Sequence, residues 1–188
     1  MAEEKRGGVF VFEELREGPC YAIMWTPWRM KYIEGHTQRR GCVFCMVQDE
    51  DDREALILYR GKYNYIILNK YPYNTAHTMV VPYKHTSTIE DLSAEELSEA
   101  ILMIKAVIRA IREEYKPHGF NIGMNMGEAA GAGIAGHVHF HIVPRWCGDT
   151  NYTYIIGGMK LVPEALERTY ERLKPRIEEA CREICSTE

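Results

Sequence analysis

The segment Gly136-His-Val-His-Phe-His-Ile-Val-Pro144 sets the strongest limit on what this chain can fold into. Histidines occupy 137, 139 and 141, and Val138, Phe140 and Ile142 fill the positions between. A period of two belongs to an extended strand, in which i, i+2 and i+4 share one face. A helix would turn His139 away from its two neighbours. The segment therefore reads as a strand over 138–144, with three imidazoles on one side and three large apolar groups entering a core. Three of the seven histidines on one short strand face is a concentration that packing does not require. Two chemistries fit it: nucleophilic or acid-base work by neutral imidazole, and metal ligation, since alternating strand histidines can share an ion.

The surrounding sequence supplies a sheet and two helices. Tyr63 to Leu68 and His77 to Pro82 are β-branched, aromatic and aliphatic, with Pro72, Asn74 and Thr75 as turn chemistry between them, which predicts two adjacent strands. Ser93-Ala-Glu-Glu96 is a capping box. It precedes Leu97, Ile101, Ile104, Ile108 and Ile111 at helical spacing, and Pro117 closes that helix. Phe120 to Met126 reads as another strand. Pro163 opens an amphipathic helix through Leu166, Tyr170, Leu173 and Ile177, with a kink expected at Pro175. This order suits an α+β fold with an antiparallel sheet.

Between those strands, Asn121-Ile-Gly-Met-Asn125-Met-Gly127 leads into Ala129-Ala-Gly131-Ala-Gly133-Ile-Ala-Gly136. A loop nearly without side chains thus runs into the histidine strand. Its amides could hold phosphate oxygens beside an attacking imidazole, although a plain connection between strands would look the same. The formal charge of −4 and the lack of a long Lys/Arg block argue against duplex nucleic acid as a partner, and leave an anionic small ligand open. No apolar run reaches the length of a signal peptide or a membrane span, so a cytoplasmic protein is expected. Of six cysteines, two form Cys42-Val-Phe-Cys45, half of a tetrahedral zinc site by spacing or simply a pair of free thiols. The acidic run Asp49-Glu-Asp-Asp52 is read as solvated loop, and Cys181 and Cys185 as ordinary helical thiols.

The alternation at His137 to Val143, followed by Pro144-Arg145, resembles the signature of the histidine-triad (HIT) superfamily. Asn69-x-x-Pro72-x-x-x-x-His77, Met79-Val-Val-Pro82 and Asn125-x-Gly127 also fall where that family has them. Trp25-Thr-Pro-Trp28-Arg29-Met-x-Tyr32-Ile33 and Pro144-Arg-Trp146-x-Gly148-Asp149-x-Asn151 are similar to a subgroup of diadenosine tetraphosphate phosphorylases and related hydrolases. The resemblance implies an antiparallel sheet flanked by helices and assembled as a homodimer. Residues 1–24 lack a clear period and read as an N-terminal arm or an edge strand around Val9 to Phe12, ahead of a HIT domain over 25–162 and a C-terminal helical extension over 163–188.

The resemblance also implies roles. His139 is the expected nucleophile and His141 its neighbour on the phosphate or leaving group. His77 is the accessory histidine. Asn69 lies near the ribose and Asn125 binds phosphate or the leaving side, while the Gly/Ala loop read above offers the backbone of Gly131 and Gly133 to the substrate. Cys42, Cys45, His85 and His137 would hold a structural zinc, with no organic cofactor. Many family members carry Gln and Ser or Thr where this chain has Gly133 and Ile134, so amides or water must replace those donors. The implied activity is a nucleotidyl hydrolase or transferase cleaving dinucleoside polyphosphates or other adenylylated compounds through a nucleotidyl-histidine, with water set slightly ahead of phosphate as acceptor. The rival readings are a phosphorolytic diadenosine tetraphosphate phosphorylase, a low-turnover nucleotide-binding protein and a three-histidine metalloenzyme.

Overall fold

A computed structural model describes residues 41–150 and 163–185. The strand expected at Val9 to Phe12 and the Trp25 to Ile33 motif lie outside them. Two short helices, α1 (Val43–Met46) and α2 (Asp52–Ala55), precede β1 (Ile57–Arg60), β2 (Asn64–Leu68) and β3 (Thr78–Pro82). Helix α3 (Ala94–Tyr115), β4 (Gly119–Gly123), β5 (Phe140–Arg145) and α4 (Leu166–Cys185) follow. The five strands form one antiparallel sheet in the order β1-β2-β3-β5-β4. This is the expected α+β arrangement.

Strand alternation sorts the sheet into two faces. Leu58, Ile66, Leu68, Val80 and Ile142 meet Met103, Val107 and Ile111 of α3 and Leu173 and Ile177 of α4 in one buried cluster. Ile57, Tyr65, Ile67, Met79 and Val81 meet Phe44 and Val47 in the other. His141 pairs with Met79 in register, so it shares this second face.

The capping box at Ser93 is formed, with Glu96 N donating to Ser93 Oγ at 3.2 Å and Ser93 N to Glu96 Oε2 at 2.7 Å. The buried stripe of α3 differs from the one expected. Ala100, Met103, Ala106, Val107 and Ala110 carry it together with the expected Ile104 and Ile111, whereas Ile101 is 59% exposed. Small residues let α4 lie close, and a pattern read on large aliphatics alone drifts from them. Glu99 on the same helix accepts from the backbone N–H groups of Lys62, Tyr63 and Asn64 at 2.7–2.8 Å, which staples the β1–β2 hairpin to α3.

Three other expectations shift. The strands expected over 120–126 and 138–144 run over 119–123 and 140–145, so His137 and His139 precede β5. Helix α4 begins at Leu166 rather than Pro163 and runs on through Pro175. In the acidic run, Asp51 caps α2 by accepting from Arg53 N at 2.9 Å, and Asp52 pairs with Arg60 at 2.7 Å and Lys174 at 3.1 Å. Cys181 is buried in the main core, and Cys185 packs against it. Among the described residues no helix is long and apolar enough to cross a membrane.

Candidate active site and metal centre

The histidines of the alternating segment separate into two groups. His137, fully buried, has Nε2 2.9 Å from the carbonyl oxygen of Pro82. A carbonyl only accepts, so Nε2 carries the proton and Nδ1 keeps its lone pair. That nitrogen lies 3.3 Å from Cys42 Sγ, 3.6 Å from Cys45 Sγ and 3.3 Å from His85 Nδ1, and Cys45 Sγ is 3.3 Å from His85 Nδ1. The four ligand atoms all lie within 4.8 Å of one another. A tetrahedral zinc with bonds of about 2.3 Å to sulfur and about 2.05 Å to nitrogen has edges of about 3.3–3.8 Å. The donor set therefore fits such an ion in both distance and chemistry. Burial and the neighbouring Cys42 push the Cys45 thiol above its usual value.

His139 makes the opposite choice. Its Nδ1 lies 2.9 Å from the carbonyl oxygen of His137, so Nδ1 donates and Nε2 is bare. The ring is buried, and burial lowers its pKa against the opposing pull of that carbonyl. His141 stands edge-on to it with ring centroids 4.7 Å apart. Burial, with His139 alongside, lowers the pKa of His141 to about 4. His77 Nε2 is 3.0 Å from His141 Nδ1, and Asn69 Nδ2 is 3.2 Å from His77 Nδ1. Two imidazoles and one carboxamide thus form a hydrogen-bonded chain, and His139 packs edge-on against its His141 end.

Asn125, Gly131 and Gly133 lie on the segment between β4 and β5. Gly123 pairs with His141, so the chain leaving β4 carries Asn125 along the side where His139 lies. No hydrogen bond among the described residues ties these three to the histidines. Gly127 and Gly131 take φ of +82°, a left-handed conformation that favours glycine, around the short 3-10 turn Glu128–Ala130.

Two aromatic side chains adjoin these histidines, the first of them unread in the sequence. Phe44, between the paired cysteines, is buried with its ring 4.8 Å from that of His139 and 5.5 Å from that of His137. Its place inside Cys42-Val-Phe-Cys45 was the available signal. Tyr73 covers His77 and His141 at ring distances of 4.6 and 5.9 Å while staying 43% exposed.

The HIT domain model matches residues 50–147, just over half of the chain. The chain belongs to the HIT family. This HIT protein is 42% identical over 154 residues to the AP-4-A phosphorylase of Mycobacterium tuberculosis, covering 78% of this chain and 79% of that one. Its fold is similar to the crystal structure of a Zn-bound histidine triad family protein from Mycobacterium smegmatis. The two are 28% identical with a TM-score of 0.60, over 79% of this chain and 98% of that one. A hypothetical histidine triad nucleotide-binding protein from Sulfolobus tokodaii matches with a TM-score of 0.61 at 28% identity, over 78% and 99% of the two chains. Both likenesses extend beyond the 50–147 core of the HIT protein.

Proposed function

We propose that this HIT protein cleaves dinucleoside polyphosphates, or other adenylylated compounds, at the α-phosphorus through a nucleotide bound covalently to His139. The observation that carries the reading is the His139 Nδ1–His137 carbonyl bond at 2.9 Å, which leaves Nε2 as a neutral nucleophile in a buried site. Nε2 attacks the α-phosphorus, a P–N bond forms, and the bond to the bridging oxygen breaks with the rest of the polyphosphate leaving. An acceptor then attacks the same phosphorus and restores the imidazole. Water gives the nucleoside monophosphate, and inorganic phosphate gives the diphosphate. His141 and His77 assist the leaving oxygen, Asn69 and Asn125 border the substrate, and amides near Gly131 and Gly133 receive phosphate oxygens.

Phosphorolysis is the second reading, and the 42% identity to a protein named AP-4-A phosphorylase favours it. Incubation with diadenosine tetraphosphate, with and without phosphate, separates the two by yielding AMP or ADP. Rapid quenching followed by peptide mass measurement should find the adenylyl group on His139. Absence of both turnover and adduct returns the protein to a nucleotide-binding role.

The same proposal assigns zinc to Cys42, Cys45, His85 and His137. The ion would tie α1 to the sheet, while Pro82 orients His137 from outside the cluster. A thiolate site needs a reducing compartment, in keeping with a cytoplasmic location. The outer edge of β4 is exposed at Asn121, Ile122 and Gly123, which supports a second copy of the chain as partner. Light scattering on the purified protein tests the dimer.

A further inference from the structure

The turn joining β2 to β3 controls which nitrogen of two histidines carries the proton. The backbone N–H of Tyr73 reaches His77 Nδ1 at 3.1 Å. An amide N–H can only donate, so Nδ1 accepts, and a neutral His77 holds its proton on Nε2. Asn69 acts in the same sense. Its Oδ1 accepts from Tyr71 N at 2.9 Å, which turns Nδ2 toward His77 Nδ1. Nε2–H of His77 then donates to His141 Nδ1 across 3.0 Å, and a neutral His141 keeps its own proton on Nε2. Two imidazoles thereby take their tautomers from the Tyr73 amide, with Asn69 beside it.

That amide is held from the far side of the turn. Asn74 is buried, and its Nδ2 donates to the Pro144 carbonyl at 3.0 Å and to Asp149 Oδ2 at 2.9 Å. Arg145 grips the same carboxylate through Nε at 2.7 Å and Nη2 at 2.9 Å, and Trp146 N donates to it at 3.2 Å. The backbone oxygen of Asn74 accepts from His77 N at 3.2 Å, closing the turn over the histidine. Ala76 sits between them at φ +60°, a conformation that a non-glycine residue keeps only where its surroundings impose it.

We propose that Asn74 and Asp149 are positioning residues that fix the proton of His141 on Nε2, acting through the Tyr73 amide and His77. The inference rests on the nucleotidyl transfer proposed above, in which His141 offers an N–H to a phosphoryl or leaving oxygen while the bare Nε2 belongs to His139. Release of the turn lets His77 carry its proton on Nδ1. His77 Nε2 then accepts from His141 Nδ1–H, and His141 turns a lone pair toward an anionic phosphate. Donor becomes acceptor where only a donor helps.

The test is two-bond proton–nitrogen correlation spectroscopy of the full chain with nitrogen-labelled histidine, without substrate, signals being assigned with His77→Gln and His141→Gln. In the wild type both rings should show the Nε2–H form. Asn74→Ala should convert His77 and His141 to mixtures of tautomers. Asp149→Asn, which keeps an acceptor for Asn74 but removes the ionic grip of Arg145, should do so to a lesser degree. In parallel, kcat on diadenosine tetraphosphate should fall about 10- to 100-fold in Asn74→Ala, with KM changed by less than about threefold. A wild-type His77 protonated on Nδ1 overturns the proposal, as does a folded Asp149→Asn or Asn74→Ala protein with wild-type tautomers. Tautomers that respond as described in a protein showing neither turnover nor a His139 adduct uphold the lock and refute the reaction instead.

Discussion

His137 and His139 are two residues apart and present opposite nitrogens. His137 donates from Nε2 to Pro82 and shows Nδ1 to two sulfurs, whereas His139 donates from Nδ1 to the carbonyl of His137 and keeps its lone pair on Nε2. Neither choice needs a charged partner. Each is set by the one backbone carbonyl the ring can reach, and this divides a run of identical side chains into a part suited to metal and a part suited to chemistry. Phe44 touches both rings and keeps the two groups adjacent without joining their hydrogen bonds.

Damage on one side of that division should read differently from damage on the other. The largest effect is expected from His139→Gly, with kcat reduced on the order of 10⁴-fold or more while nucleotide affinity and metal content stay near wild type. Steady-state kinetics, calorimetry and metal analysis measure the three quantities, and substantial residual turnover removes His139 as nucleophile. Cys42→Ser should do the reverse, losing the zinc, about one per subunit in the wild type, and lowering stability by about 3 kcal/mol, or about 6–12 °C in Tm. Its activity loss should be much the smaller of the two. Thermal unfolding with and without chelator checks this, and a chelator that abolishes turnover without moving Tm would make the cluster catalytic.

Acid should separate the groups more gently. His141 is held neutral in the fold, so on acidification the unfolded chain takes up this proton first. Its contribution to stability is complete above about pH 6.5, declines as pH falls, and is gone below about 4, the value to which burial and His139 bring it. Imidazole signals followed from pH 8 to 5 should show His141 uncharged throughout, and a midpoint near 6.5 contradicts the burial argument. The smallest effect is expected from Gly133→Ser, which restores a hydroxyl beside the exposed loop and should raise the ADP to AMP ratio by a few fold in phosphate buffer, a change of about 1 kcal/mol or less in relative barriers. Predominant ADP from the unaltered protein would show that no hydroxyl is required.

Much of this arrangement was legible because it is local. The capping box at Ser93 and the period of two at His137 to Ile142 depend on neighbours three or two residues away; the box formed, and the strand formed from Phe140 onward. The split between His137 and His139 was not legible in the same way, since it depends on Pro82, brought alongside only when β3 pairs with β5. The resemblance brought Cys42, Cys45, His85 and His137 together by number, and the fold brings their ligand atoms together in space. Asn69, which the resemblance set near a ribose, has its carboxamide on His77 and Tyr71. Strand β1 was missed because four residues, interrupted by a register shift near Tyr59, are too few to show a period. Asp149 was read only as part of a motif, for its partners Asn74 and Arg145 meet it at the end of β5.

The packing of α4 also bears on how the chain is made. Leu173 and Ile177 are fully buried against the same residues of α3 and the sheet that support β5. During synthesis every histidine of the site has left the ribosome before that wall exists. At about 5–20 residues per second, the interval between translating Arg145 and Cys185 is a few seconds, during which, among the described residues, the apolar side of α3 has the sheet but not α4 to cover it. Nascent chains stalled at residue 165 should therefore be open to protease and to chaperone binding. Those extended far enough to free Cys185 from the exit tunnel should resist both.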